Sequence, residues 1–202
     1  QRHHLMVVSD EIHSDLIFSG QVHTPWWTVS EEAARHAIVC MAPSKTFNMA
    51  GLSTSYAIIP DPEIHSKFEA LLQTLHITNG NIPGTIALEA AYTQGQQWLE
   101  QMMAYVEENY HYLEKFLATR LPRVKLIKPE ATFLVWLDFR DYGMDDKQLS
   151  EFLIARAKVG LNNGARFGAG GEGWQRINIG CPRSVLKEGL KRMADAFDRL
   201  TL

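Results

Sequence analysis

Two short apolar runs, each followed by an ionisable side chain, constrain this chain most strongly. The run Leu5 to Val8 leads into Ser9 and Asp10, and the run Ile38 to Met41 leads into a turn that carries Lys45. Apolar runs of this length predict short buried strands. Because ligands of parallel α/β sheets bind outside the carboxyl ends of the strands, we expect Asp10 and Lys45 to lie at a ligand-binding edge.

A lysine and an aspartate at such an edge suit pyridoxal 5'-phosphate (PLP). This cofactor needs a lysine for its Schiff base and an anion beside its pyridinium nitrogen. Two simpler interpretations stay open at this point. Lys45 would then be a solvated loop charge, and Asp10 would cap the turn that follows its strand.

Three motifs carry a resemblance to a known family. They are SDEIHSDL at 9–16, APSKTFNMAGL at 42–52 and GEGWQRINIGCPRS at 171–184. In this order they resemble the cystathionine β-lyase group of bacterial C–S lyases, within the PLP enzymes of the aspartate-aminotransferase type (fold type I). The resemblance runs from about Leu5 to about Leu200, which is nearly the whole chain.

The resemblance implies a role for five residues. Lys45 would hold the cofactor and then move the substrate's Cα proton, and Asp10 would pair with the pyridinium N–H. His13 stands where many members have tyrosine, and it would contact the ring oxygen or buttress Asp10. Ser44 would bind the phosphate, and Arg176 would bind the substrate's α-carboxylate, for which a planar guanidinium is well suited.

The phosphate motif departs from the wider superfamily. Where aminotransferases often carry a Gly-Leu-Arg sequence, this chain has Gly51-Leu52-Ser53, and a frequent serine is replaced by Ala42. Phosphate binding would therefore depend on Ser44, with Ser53 as a second candidate, and on residues that the family carries upstream. This difference favours the lyase group over general aminotransferases.

The resemblance implies an α/β fold that forms the C-terminal part of a fold-type I enzyme. We expect residues 1–105 to form part of the large, mostly parallel-sheet PLP domain, and residues 106–202 to form the smaller α/β domain. The boundary would fall inside a long helix that ends at Pro122. Ser30 and Asp61 are predicted helix N-caps, Asn79 to Gly84 a turn-rich break, and Val159 to Leu161 a short strand.

Three other features carry less weight. Gly168 to Gly173 contains a formal G-x-G-x-x-G, but it precedes a predicted strand instead of following one, so we do not interpret it as a dinucleotide site. His3 and His4 are adjacent on a predicted strand and would point to opposite faces, which argues against a metal site. Arg183 is a rival to Arg176, but its position near the start of the last helix favours a structural role.

Composition limits the partners and the compartment. The net charge of -3 and the pI near 6.3 give no general attraction to nucleic acid. No apolar stretch approaches the ~20 residues of a membrane span. The two cysteines, Cys40 and Cys181, lie in apolar runs, which is typical of buried thiols in a reducing cytoplasm.

The predicted function is PLP-dependent β-elimination of cystathionine or cysteine S-conjugates to a thiol, pyruvate and ammonia. An aminotransferase on the same scaffold is the nearest alternative. The resemblance also implies a homodimer and leaves open a regulatory protein partner, because one member of the group binds a transcription regulator.

Overall fold

Each half of the chain builds its own small sheet. The computed structural model describes His3 and residues 5–78 and 80–200. The chain divides into two units, Gln1–Met102 and Met103–Leu202, and the division falls inside a long helix. His4 and Asn79, which belong to two of the sequence predictions, lie outside the described residues.

The sheet of the first unit has the strand order β1-β2-β3. β1 (Val7–Asp10) pairs in parallel with β2 (Ala37–Met41), with Asp10 opposite Cys40, and β3 (Tyr56–Ile58) pairs antiparallel with β2. Ala37 and Val39 are buried and alternate with half-buried neighbours, as expected for a strand that covers a core. The predicted strands are therefore confirmed, and β1 extends to Asp10 itself.

Four helices follow or connect these strands. They are α1 (Glu31–Arg35), α2 (Pro43–Thr46), α3 (Pro62–Thr74) and α4 (Ile82–Gln94). The predicted caps are confirmed: Ser30 Oγ accepts from Ala33 N at 3.0 Å, and Asp61 Oδ1 accepts from Glu63 N at 2.9 Å. Such a cap satisfies amide groups that the first helical turn leaves unpaired.

The long helical region after residue 81 is interrupted at Gly95. α4 ends at Gln94 and α5 (Gln96–Arg120) begins directly after Gly95. A Cβ atom at Gly95 would lie 2.5 Å from Cε1 of Phe47 and 2.3 Å from the carbonyl oxygen of Ala91. Glycine is required here because the ring of Phe47 packs against the backbone.

The sheet of the second unit is antiparallel, with the strand order β4-β5-β7-β6. Its strands are β4 (Lys125–Leu126), β5 (Leu134–Asp138), β6 (Asn162–Asn163) and β7 (Trp174–Asn178). Two further helices are α6 (Asp146–Phe152), which continues as a π-helical turn over Leu153–Ala157, and α7 (Arg183–Phe197). Val135, Leu137, Ile177 and Ile179 are buried along one face of the central strands.

The predicted strand over Val159 to Leu161 is wrong. Lys158 takes a left-handed conformation with φ of 56°, and Val159 N donates to Leu153 O at 3.0 Å. These residues therefore close the preceding helical turn. Strand pairing begins only at Asn162, opposite Arg176.

Aromatic rings fasten α7 to the rest of the second unit. The ring centroid of Phe197 lies 5.8 Å from that of Phe139, 4.7 Å from that of Phe152 and 4.2 Å from that of Tyr142. Contacts of this kind add to the area that the rings bury. Within the described ranges, no helix combines the length and the apolar character that crossing a bilayer would need.

Candidate functional site

Asp10 and Lys45 both follow the carboxyl ends of paired parallel strands. Asp10 is the last residue of β1, and Lys45 lies in α2, which begins two residues after the end of β2. Since β1 and β2 run in the same direction, their carboxyl ends meet at one edge of the sheet. Ser44 also lies in α2, and His13 lies in the turn after β1. The structure thus places four of the five predicted site residues on the segments that leave this edge.

One carboxylate oxygen of Asp10 makes a local hydrogen bond, and the other is available to a ligand. Its Oδ1 accepts from Ile12 N at 3.3 Å, so it caps the turn after β1. The side chain is exposed, and Oδ2 has no hydrogen-bond partner in the part of the chain that the structure describes. The capping interpretation is therefore correct, and it leaves one carboxylate oxygen for a cationic N–H donor.

Lys45 stands on a short and firmly held turn. Ala42 is extended before the turn and Pro43 occupies the first helical position, where its missing N–H costs nothing. Lys45 is exposed, and its amine makes no ion pair or hydrogen bond with other described residues. The half-buried Ser44 hydroxyl likewise has no protein partner in the described ranges.

An aspartate that sequence reasoning missed ties this turn to the segment after β1. Asp15 Oδ2 accepts from the buried Thr46 Oγ1 at 2.9 Å and from the Tyr92 hydroxyl at 3.3 Å. Burial, then Tyr56 and Asp15, raise the pKa of Tyr92, so its hydroxyl stays protonated and can donate. Asp15 belongs to the first motif, but no sequence signal points to Tyr92 as its partner.

Glu11, beside Asp10, also links two segments of the chain through hydrogen bonds. It is buried, and its carboxylate accepts from Ser9 Oγ at 3.1 Å, His23 Nε2 at 2.9 Å and Trp26 N at 2.8 Å. Burial alone raises the pKa of Glu11, but these hydrogen bonds outweigh it and hold the pKa below its usual value. Glu11 therefore fastens the segment around His23 to the end of β1.

Arg176 lies in the second unit, on β7 opposite Trp136 of β5. Its guanidinium carbon lies 4.4 Å from the ring centroid of Phe167, and Nη2 is 3.4 Å from Asn162 Oδ1. Nε is buried without a hydrogen-bond partner, and no described carboxylate forms an ion pair with this side chain. Arg176 thus retains donors for an external carboxylate.

Arg183, in contrast, is used within the protein. It begins α7, its Nε donates to Asn109 Oδ1, and Nη2 lies 3.7 Å from Glu108 Oε2. Its guanidinium also lies 5.3 Å from the ring centroid of Tyr112. These contacts agree with the predicted structural role.

The glycine-rich segment leads into the strand that carries Arg176. Gly168, Gly170 and Gly173 have positive φ angles of 120°, 89° and 76°. The segment leads directly into β7, and it lines a cavity of about 310 Å³ together with Trp136 and Phe167. Because it precedes a strand and opens no helix, it is not a dinucleotide-binding turn.

Comparison with known proteins agrees with this arrangement. The lysine and the aspartate at the carboxyl edge of the sheet are typical of a cofactor-binding α/β protein. Residues 1–193 match the model of the aminotransferase class I and II family, so the chain belongs to that family.

Several proteins similar to this chain are named cystathionine beta-lyases. The chain is 45% identical over 195 residues to cystathionine beta-lyase PatB of Bacillus subtilis (strain 168), covering 96% of this chain and 50% of that protein. It is 36% identical over 201 residues to protein MalY of Escherichia coli (strain K12), and the match covers 98% of this chain and 50% of that protein. The crystal structure of cystalysin from Treponema denticola, which contains PLP, superimposes with a TM-score of 0.93 at 36% identity, over 98% of this chain and 50% of that one. The chain spans about half the length of the curated relatives it matches.

Proposed function

We propose that this chain belongs to a PLP-dependent carbon–sulfur β-lyase acting on cystathionine or cysteine S-conjugates. The observation that carries the proposal is the placement of Lys45 and Asp10 after two paired parallel strands, in a chain of the aminotransferase class I and II family. The names of the relatives support a lyase, and the cofactor of the cystalysin structure supports PLP.

The side chains at the sheet edge fit this cofactor. The Lys45 amine is unpaired and exposed, so it is free to bond to an aldehyde carbon. The free oxygen of Asp10 would accept a pyridinium N–H, the Ser44 hydroxyl would donate to the phosphate, and His13 would contact the ring or Asp10. PLP, when bound, supplies an electron sink for the charge left at Cα.

The proposed chemistry assigns one task to each residue. Arg176 binds the α-carboxylate of the amino acid through two parallel N–H donors. The Lys45 amine takes the Cα proton, for which it must be neutral at that moment. The carboxylate of Asp10 would pair with the N–H of the pyridine ring. Departure of the sulfur from Cβ, protonation of that sulfur and hydrolysis of the remaining enamine by water would give a thiol, pyruvate and ammonia.

The wider organisation is proposed on the same basis. Residues 1–105 would form part of the cofactor domain and residues 106–202 the small domain. A homodimer is supported by large apolar side chains that are exposed in the described ranges, among them Val8, Ile82 and Ile86.

We also propose a cytoplasmic enzyme, because Cys40 and Cys181 are free thiols. A regulatory protein partner would be a second role, and nucleic acid is not an expected partner.

Product analysis of the full-length enzyme tests the function. We expect cystathionine to yield pyruvate, ammonia and a free thiol without an added oxo acid. Transfer of the amino group to an oxo acid, with no release of thiol, would show an aminotransferase instead. A regulatory role is tested separately by pull-down with the Lys45→Ala variant, since binding of a protein partner should survive the loss of that amine.

A further inference from the structure

A second cavity of the second unit lies on the opposite side of β7 from Arg176. Successive side chains of a strand point to opposite faces, so Gln175 leaves β7 on the face that Arg176 does not use. On that face a cavity of about 470 Å³ is lined by Gln175 and Arg166 and by four apolar side chains, Leu153, Ile154, Val159 and Leu161. This cavity is separate from the surroundings of Arg176 described above.

Gln175 is the unusual member of this lining. It is only 1% exposed, and its Nε2 has no hydrogen-bond partner among the described residues. An unpaired buried amide costs free energy, and buried polar groups in native proteins nearly always have partners. A glutamine kept in this position is therefore explained if a molecule entering the cavity supplies the missing acceptor.

The neighbouring polar side chains bond to one another and to the backbone, and none of them bonds to Gln175 Nε2. Asn163 Nδ2 donates to Ser150 Oγ at 3.0 Å, and Asn163 Oδ1 accepts from Ala165 N at 2.8 Å. The opposite wall is formed by the π-helical turn Leu153–Ala157. Turns of this kind occur frequently at functional sites.

Arg166 gives the cavity its charge. It is exposed at the lining and forms no ion pair with the carboxylates of the described chain. An unpaired guanidinium favours an anion, and a carboxylate matches its planar donors. The four aliphatic walls favour a hydrocarbon body of the same ligand.

We propose that this cavity binds a small aliphatic monocarboxylate. Its carboxylate accepts from Arg166 and from Gln175 Nε2, and its hydrocarbon chain contacts Leu153, Ile154, Val159 and Leu161. The site requires neither the cofactor nor turnover, so it stands independently of the proposed lyase activity.

Calorimetric titration of the full-length enzyme with 4-methylpentanoate tests the proposal, with 4-methylpentan-1-ol as the neutral comparison. We expect saturable binding of the acid and at least about tenfold weaker binding of the alcohol, because a hydrogen bond to a charged group contributes that much or more. The Arg166→Gln variant should bind the acid more weakly than the wild type by a similar factor. Arg199→Gln, a matched loss of charge at an exposed arginine that does not line this cavity, should leave the affinity unchanged.

Gln175→Met separates a ligand-binding amide from a structural one. This variant keeps an apolar side chain of similar size, so it should lose affinity for the acid while its melting temperature stays the same or rises. A clear fall in melting temperature would show that Gln175 serves the fold. That result, absence of saturable binding, or equal affinities of the wild type and Arg166→Gln would each overturn the proposal.

Discussion

In the proposed function the amine of Lys45 is both a bonding partner and a proton carrier, and its surroundings in the described chain leave it free for both. It is exposed on a turn that begins at Pro43, and Thr46 of this turn donates a hydrogen bond to Asp15. No acidic side chain of the described chain pairs with it, so no ion pair has to be broken before it reacts.

Replacement of Lys45 by alanine should abolish elimination. The variant loses the covalent attachment and the proton transfer together, so we expect turnover of cystathionine to fall by about a thousandfold or more. Pyruvate release by the full-length enzyme is the measurement, with Lys67→Ala as the control because, among the described residues, that lysine forms its ion pair with Glu63 on α3. Turnover within about tenfold of wild type would refute the assignment.

Asp10 should act through its charge. Asp10→Asn keeps an oxygen that can accept from Ile12 N, so the turn after β1 should remain intact. We expect the variant to retain the cofactor but to lose most of its elimination rate, because the pyridine nitrogen is no longer held protonated. Absorption spectra report the bound cofactor and pyruvate release reports the rate. A nearly normal rate would exclude an electron-sink role.

At the residue scale, sequence reasoning located the groups that would touch a ligand and missed the groups that hold them. Asp10 and Lys45 were found because each follows an apolar run, and the structure places both at the same sheet edge. The hydrogen bonds by which Glu11 and Asp15 link separate segments of the chain were not predicted. Their partners Trp26 and Tyr92 are distant in sequence, and only the folded chain shows which side chains meet. The predicted roles of Asp10, His13, Ser44, Lys45 and Arg176 themselves stay predictions.

At the scale of elements, the segment around His23 depends on one ionised carboxylate. Glu11 receives three hydrogen bonds in a buried position, and its pKa lies below the ordinary value of 4.5. Folding therefore favours the ionised form. The stabilisation is complete above the ordinary pKa, and it is lost as the pH falls through the lowered pKa of the folded protein.

The pH dependence of a Glu11→Gln variant should reveal this stabilisation. Near neutral pH we expect the variant to unfold with a free energy about 1–3 kcal/mol lower than that of the wild type. The difference should shrink as the pH falls below 4.5, because the wild type loses the same charge there. Urea unfolding across the pH range is the measurement. Glu63→Gln, at an exposed side chain of α3, is the control, and a difference independent of pH would contradict the expectation.

Two helix starts were predictable at this scale, whereas a third helix start, the strand limits and the helix break were not. α4 begins at Ile82, inside the predicted break over Asn79 to Gly84, with Asn81 as its N-cap. The Ser30 and Asp61 caps are local and were correct, since each depends on amides two or three residues away. Phe47 approaches the backbone closely at Gly95, where α4 ends, and the left-handed turn at Lys158 precedes the late start of β6. Both depend on contacts that the local pattern does not contain.

At the scale of the whole molecule, much apolar surface of the first unit is uncovered. Leu5, Val8, Ile82 and Ile86 are 66%, 65%, 75% and 62% exposed. β1 lies at one edge of its sheet, with backbone groups open on the outer side. Surfaces of this kind favour association, so we expect the isolated 202-residue chain to form dimers or larger assemblies.

The small number of phosphate donors near Lys45 should limit cofactor binding by the 202-residue chain. A divalent phosphate needs several N–H and O–H donors, often including a helix N-terminus. Ser44 and Ser53 offer only one hydroxyl group each, and α2 is only 4 residues long. We therefore expect weak binding of PLP or none. Equilibrium titration followed by visible absorption is the measurement, with Lys45→Ala to separate a specific lysine adduct from random reaction of surface amines. Tight binding of one equivalent, with a visible band that the Lys45→Ala variant lacks, would show that Ser44 and the residues around it suffice to hold the phosphate.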